Sequence, residues 1–358
     1  MATPHDPAAK APSDSEQERP TLKTIAAATG LAIATVSRAL KDAPDIGEDT
    51  KRRVRESAAL LGYRPNRAGV RLRTGKTNVI ALVLSTETDV MNHTSRLIYS
   101  IANALRGTAY HMIVMPFFPD QDPMEPIRYI VETESADGVI LNQTKPDDPR
   151  IRYMQERHFP FATHGRTAMG LDHPYFDFDN EAFARLAVRT FIQRGRKRLL
   201  LIAPPRSHLY GRHMTWGFSD EAALLGLPFE VAEKVTSDSG GEAVDEAVTA
   251  RFMAPNPPDG ILVGSTTAAM SSIAGAERTG RVLGRDFDVV AKEAIAVLRR
   301  FRREAIIIKE DVGRAGEFLA HALVAEIEKR PPEARQGLEV PTDVDWGDAP
   351  RTERTWGG

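Results

Sequence analysis

From residue 78 onward, short apolar runs alternate with stretches in which apolar positions recur every three or four residues, the signatures of buried strands and amphipathic helices. The runs at 79–84, 111–115, 138–141 and 159–163 predict strands, and 95–106, 126–135 and 149–157 predict the helices between them. This order is the repeated strand–helix–strand unit of an open parallel sheet. After Asp177-Phe178-Asp179-Asn180, which reads as a crossover, the alternation resumes with helix 181–194, strand 198–203, helix 214–225, strand 260–263, helix 268–279 and strand 288–291. Strand 305–309 and the long helix 312–329 bring the chain back. The pattern predicts two α/β lobes with parallel sheets, joined by several crossings.

The preceding segment follows a different rule. Thr21 can cap a short helix carrying Leu22, Ile25 and Ala26 on one face, and Gly30 permits the left-handed backbone of a tight turn. Leu31, Val36 and Leu40 then hold a second helix across the first, so the two form a helix-turn-helix. A third helix, 48–61, opens on Glu48 and Asp49 at its positive dipole end. It buries Val54, Ala58 and Leu61 and leaves Lys51, Arg52, Arg53 and Arg55 mostly on its other faces. Residues 63–76 add Pro65, where a further helix can begin, several cations and one leucine, Leu72, before a glycine-containing linker.

Charge separates these two parts more sharply than hydropathy does. The whole chain of 358 residues has a net charge of −2, yet residues 21–76 carry twelve Lys and Arg against five Asp and Glu, a local balance of +7. A small basic end on an acidic remainder predicts a nucleic-acid-binding module attached to a larger one with another task. The 42% hydrophobic and 27% charged composition is that of an ordinary globular protein, and zero cysteines exclude disulfides and thiolate metal sites. The first twenty residues read as a disordered tail with no secretion signal, and no apolar stretch is long enough to span a membrane, so a cytoplasmic protein is expected.

The segment Thr21 to Arg73, followed by two lobes, resembles the lactose-repressor family of bacterial transcription regulators over nearly the whole chain, to about Val340. The resemblance implies an all-α helix-turn-helix domain (21–65), a hinge helix and linker (66–77), and a two-lobed periplasmic-binding-protein-like α/β domain (78–345), with tails at 1–20 and 346–358. Lobe 1 would take about 78–178 and 309–330, and lobe 2 about 179–308. By the same resemblance Ile33 and Ala34 begin a recognition helix in the major groove, Arg38 reaches a guanine, and Ser37 lies near phosphate. Thr21, Leu22, Thr35, Asn66 and Gly69 complete the expected DNA contacts. Leu72 matches the hinge leucine that wedges into the minor groove, with Arg73 beside it. Departures from the family pattern are Ala32 and Gly47 at the two positions where a capping hydroxyl is usual, and Gly69 in place of a hinge alanine.

Ligands of open parallel sheets lie beyond the carboxyl ends of the strands, which in a two-lobed protein face one cleft. Thr86, Glu87, Phe117, His164, Arg166, Arg212, Trp216, Ser265 and Glu293 are therefore candidate lining residues, with Arg166, Arg212, Glu293 and Trp216 suited to the hydroxyls and apolar face of a sugar. Ser265-Thr266 and Glu293-Ala294 depart from the polar pairs usual in the family, and Met214 replaces a customary arginine, leaving Arg212 as a possible substitute. The implied partners are a palindromic operator, a sugar-like effector and a second copy of the chain. No cofactor, metal or catalytic residue is expected, since no H-E-x-x-H, P-loop or G-x-S-x-G motif occurs. The rival readings are a sugar-binding sensor or an α/β enzyme without a DNA role. Four prolines after Arg330 and the lack of a leucine heptad argue against a tetramer-forming helix.

Overall fold

In the computed structural model, which describes residues 20–63, 71, 75–86, 91–118, 120–294 and 296–348, Thr21 opens helix α1 (Leu22–Thr29) with a reciprocal capping box. Its Oγ1 accepts the Thr24 amide while the Thr24 hydroxyl accepts the Thr21 amide. Gly30, at φ 70°, turns the chain into α2 (Ile33–Ala39). Both α2 and α3 (Glu48–Leu60) start without a side-chain cap, at Ala32 and Gly47. Losing such a hydroxyl costs about 1 kcal/mol at an alanine and a few tenths at a glycine. Ile25, Val36, Ala39, Val54 and Ala58 form the buried core of this unit.

Lys51 departs from the expected basic face. Its side chain is buried, and its ammonium meets Glu48 at 2.7 Å and Asp42 at 3.1 Å. Asp42 also holds Arg55 at 2.7 Å, Arg52 pairs with Asp49, and Arg38 pairs with Asp45. Asp42 folds back from the turn onto α3, while Glu48 and Asp49 pair within the helix at i,i+3 spacing, so part of the local positive charge is already paired.

The described residues divide into two compact units between Thr77 and Asn78. In the larger one, β1 (Val79–Ser85), α4 (Met91–Ala104), β2 (His111–Phe117), α5 (Glu125–Thr133), β3 (Gly138–Leu141), α6 (Pro149–Glu156), β4 (Phe161–His164) and β5 (Tyr175–Phe178) build the first lobe. The second comprises α7 (Asn180–Gln193), β6 (Leu199–Ile202), α8 (Leu209–Leu224), β7 (Phe229–Val231), α9 (Gly241–Met253), β8 (Gly260–Val263), α10 (Thr266–Glu277), β9 (Asp288–Glu293), α11 (Leu298–Phe301) and β10 (Ile306–Lys309). The chain then returns through α12 (Val312–Ile327) and β11 (Gln336–Glu339) to the first lobe. Among the described residues the sheet orders are β11-β5-β4-β3-β1-β2 and β10-β9-β8-β6-β7, with every paired strand parallel.

Strand parity decides the cores. Ile80 and Leu82 of β1 pack with α4 and α12, while the intervening Ala81 and Val83 pack with α5 and α6. In the second lobe Leu200 and Ile202 face α9 and α10, and Leu199 and Leu201 face α7 and α8. Helices α7 and α8 approach so closely that a Cβ on Gly217 would lie 2.3 Å from the Glu181 carbonyl oxygen. No helix among the described residues is long and apolar enough to cross a membrane.

Several elements were not foreseen: β5, β7, β11, α9 and α11. The returning first-lobe segment is expected to end near 330, whereas β11 continues that sheet beside β5, and Asp345 then forms an antiparallel bridge with Ile307 in the second lobe. Helices α4 and α8 begin four and five residues earlier than expected, at Met91 and Leu209. Their first turns include His93 and Tyr210, polar residues that serve a cavity and so interrupt the apolar period.

Candidate functional site

The first unit presents α2 outward. Ile33, Ala34 and Arg38 are exposed, Thr35 and Ser37 half-exposed, while Leu22 packs on the core of the unit. Arg38 is held by Asp45, which keeps its guanidinium at the α2 surface. Asn66, Gly69, Leu72 and Arg73, the expected hinge contacts, and Glu87, an expected effector contact, lie outside the described residues.

In the second unit a cavity of about 110 Å³ lies between the two lobes at the carboxyl ends of the strands. The first lobe contributes His93 from α4, Asn142 and Gln143 after β3, His164 and Gly165 at β4, and Asp177 and Phe178 from β5. The second contributes Asn180, Tyr210, Asp238, Ser265 and Lys292, and Glu310 follows β10 where the chain crosses back.

A network of buried charges organises this cavity. Glu310 is almost fully buried; Lys292 Nζ lies 3.0 Å from its Oε2 and donates to Asn180 Oδ1 at 3.2 Å. Asn180 in turn donates to the Phe178 carbonyl at 2.9 Å, which ties the first crossover to the network. Burial pushes the Glu310 carboxyl up, but Lys292 and His93 outweigh it and hold the group below the usual carboxylate range. Asp177 shows the opposite balance: burial dominates the pull of Arg166, whose Nε donates at 2.6 Å, and the carboxyl is pushed up to about 6. Burial, reinforced by His93 and Lys292, lowers His164 to about 3, so the imidazole is neutral near pH 7.

The candidate residues separate clearly. His164 and Ser265 line the cavity, Ser265 also accepting the Ala268 amide to cap α10. Arg166 acts through Asp177. Arg212 and Trp216 sit on the exposed side of α8, where Arg212 donates to the Arg206 carbonyl and Trp216 leans on His213. Thr86 donates its amide to Phe117, which packs on the first-lobe core. Glu293 is buried and accepts the Val297 and Leu298 amides at 2.7 and 2.6 Å. Its neighbour Lys292 reaches the cavity instead, because successive strand residues face opposite ways. Missed in the sequence were His93, Asp177, Asn180, Tyr210, Lys292 and Glu310. Their available signal was a polar residue at the carboxyl end of an apolar run, as in Ile306-Ile307-Ile308-Lys309-Glu310.

His208, next to the cavity and stacked on Tyr210, carries a pH prediction. Burial, with Arg150 and Lys145 nearby, lowers it from 6.5 to about 4. The unfolded chain binds a proton that the folded chain refuses, so this contribution to stability is lost as pH falls from about 6.5 towards 4. Calorimetric midpoints at pH 7.5 and pH 5 should differ less in His208→Gln than in the unsubstituted protein; equal losses would refute the assignment.

A helix-turn-helix unit joined to a two-lobed cleft defines a ligand-responsive DNA-binding protein. The pattern of bacterial regulatory proteins of the lacI family matches residues 21–66, and that of periplasmic binding proteins and the sugar-binding domain of the LacI family matches residues 77–313. The transcriptional regulator RafR of Escherichia coli is 32% identical over 269 residues, 74% of this chain and 79% of that protein. The regulator AglR of Rhizobium meliloti (strain 1021) is 28% identical over 317 residues, 86% and 87% of the two chains. The lac repressor dimer bound to operator and the anti-inducer ONPF shares the fold, with a TM-score of 0.80 at 17% identity over 92% of this chain and 99% of that one. The chain belongs to the lacI family of bacterial regulatory proteins: it is a DNA-binding transcription regulator and not an enzyme.

Proposed function

We propose that this regulator is a homodimeric repressor, working in the cytoplasm, whose affinity for a palindromic operator is set by a sugar or sugar derivative held between the lobes of 78–345. The observation that carries the effector reading is the cavity itself. Asp177, Asn180, Lys292 and Glu310 offer donors and acceptors that match hydroxyl groups, and Tyr210 offers aromatic surface for the apolar side of a ring. Dimerisation through the first lobes is supported by Tyr99, Ile113, Val114, Phe118 and Tyr129, exposed around edge strand β2 and on α4 and α5. Two α2 helices about 34–36 Å apart would read the half-sites. Effector binding would bias the lobes towards one arrangement, and ligand and operator would then alter each other's affinity by the same factor. Leu72, inserted between the half-sites from the 66–77 hinge, is where that coupling would be released.

A thermal-shift screen against mono- and oligosaccharides tests the effector reading. A true effector at about 100 times its dissociation constant adds roughly 2.7 kcal/mol to stability. Lys292→Met should remove most of its shift and Trp216→Ala should leave it. A silent panel, or a shift that follows Trp216 rather than Lys292, would contradict this cleft as the effector site.

A further inference from the structure

His93, His164 and Glu310 come from three different elements and converge on one point of the cavity wall. Both imidazole Nε2 atoms face the same carboxylate oxygen, Glu310 Oε1, at 3.4 Å from His93 and 3.9 Å from His164. The three donor atoms lie within 4.8 Å of one another. Around a tetrahedral zinc with bonds of about 2.0–2.1 Å, neighbouring donors are about 3.3 Å apart. The His93 contact therefore already has nearly that spacing, the His164 contact needs to close by roughly half an ångström, and the two imidazole donors, up to 4.8 Å apart, need to close by about 1.5 Å through rotation of their side chains. The rings are inclined at 67° with centroids 4.8 Å apart, so they meet edge to face.

The surroundings favour the same chemistry. Lys292 occupies the other carboxylate oxygen and is itself fixed by Asn180 and seated over the Phe178 ring, 5.0 Å from its centroid. Such an outer partner orients a ligating carboxylate and leaves Oε1 for a single bond to an ion. Two imidazoles and one carboxylate suit zinc better than the oxygen-seeking magnesium or calcium, and nitrogen ligation has to hold the ion against the nearby Lys292 charge. Three protein donors are one short of a tetrahedron, and the site borders the cavity, so water or a ligand hydroxyl can supply the fourth.

We propose that His93, His164 and Glu310 bind one zinc-class divalent ion per chain in the wall of the interlobe cleft. No local histidine spacing announces the site, because its members stand at 93, 164 and 310 and meet only through the fold. Since His93 and His164 belong to the first lobe and Glu310 to the segment leaving β10, the ion would tie the first lobe to the crossover, a contact sensitive to lobe movement.

The test uses the full chain, stripped with chelator and titrated with zinc chloride alone by calorimetry, then with cobalt(II) as a spectroscopic probe. One ion per chain and the visible bands of tetrahedral cobalt are expected. His93→Gln and His164→Gln should each weaken zinc by more than the roughly 10–100-fold typical of outer-shell changes and abolish those bands, with the circular dichroism unchanged. Because His93 is partly exposed, its variant decides the matter if His164→Gln fails to fold. Absence of stoichiometric uptake, or uptake unaltered in the double variant, overturns the proposal, since seven of the chain's nine histidines lie outside this site and could bind elsewhere. No sugar enters the experiment, so its failure leaves the effector reading intact, and a silent sugar panel leaves this site intact.

Discussion

Removal of residues 1–76 should abolish operator binding while leaving a folded remainder that still dimerises and binds effector. The division between Thr77 and Asn78 separates a unit with its own small core, centred on Ile25, Val36 and Val54, from one containing four larger apolar clusters. The exposed α2 residues Ile33, Ala34 and Arg38 belong to the first unit alone. The apolar clusters of the larger unit are built from residues 79 onward, so its circular dichroism and thermal midpoint should match those of the corresponding transition in the full chain. An electrophoretic shift with operator fragments measures the loss; retention of a sequence-selective shift by the truncated protein would mean that DNA is read elsewhere. A remainder that is monomeric would displace the dimer contacts from the first lobe.

The largest stability effect is expected at Asp288, the first residue of β9. It is fully buried and receives Arg194 through Nε at 2.9 Å and Nη2 at 3.1 Å, and Arg196 through Nε at 2.6 Å. Arg194 is also buried and, like Arg196, donates to the Gly284 carbonyl, so one carboxylate pins the end of α7 to the loop before β9. Asp288→Ala leaves two guanidinium groups facing one another with no counter-charge. Breaking a buried pair from one side costs about 3–5 kcal/mol, on the order of 10 °C in the midpoint of a domain this size. Asp147→Ala removes a short but solvent-exposed partner of Arg152, 2.5 Å away, and should leave the midpoint nearly unchanged. Calorimetry of the two variants side by side checks both statements; similar midpoints would show that burial is not what gives Asp288 its weight.

The strongly periodic parts of the chain were legible. Strand β3 falls where the apolar run predicts it, and the boundaries of α5, α6, α7, α12, β6 and β10 lie within two residues of expectation. Helix α9 is weakly signalled although Val244, Val248 and Phe252 repeat at helical spacing, because Gly240-Gly241 opens it with no capping side chain. Strand β11 is half-exposed and polar, and pairing with β5 rather than its own composition makes it a strand.

The cleft was much less legible, for a different reason. Strand ends point to the right region, but parity chooses between adjacent residues and turns Lys292, not Glu293, into the cavity. Arg212 and Trp216 have the chemistry of sugar ligands but lie on the exposed face of α8, outside the lining of the cavity. Asp177 and Asn180 were visible as a crossover, yet their role depends on Arg166 and Lys292, eleven and 112 positions away. Such pairings are set by two packed sheets and leave no local trace.

Effector-controlled operator binding is the claim on which the account turns, and it is tested most directly by titrating the full chain onto palindromic fragments from upstream of its own gene, with and without the sugar that shifts its melting. The account predicts a sequence-selective complex whose affinity changes at least several-fold with that sugar, and a Lys292→Met protein that binds the same DNA but no longer responds. A selective complex indifferent to every cleft ligand, or no selective complex at all, would contradict it.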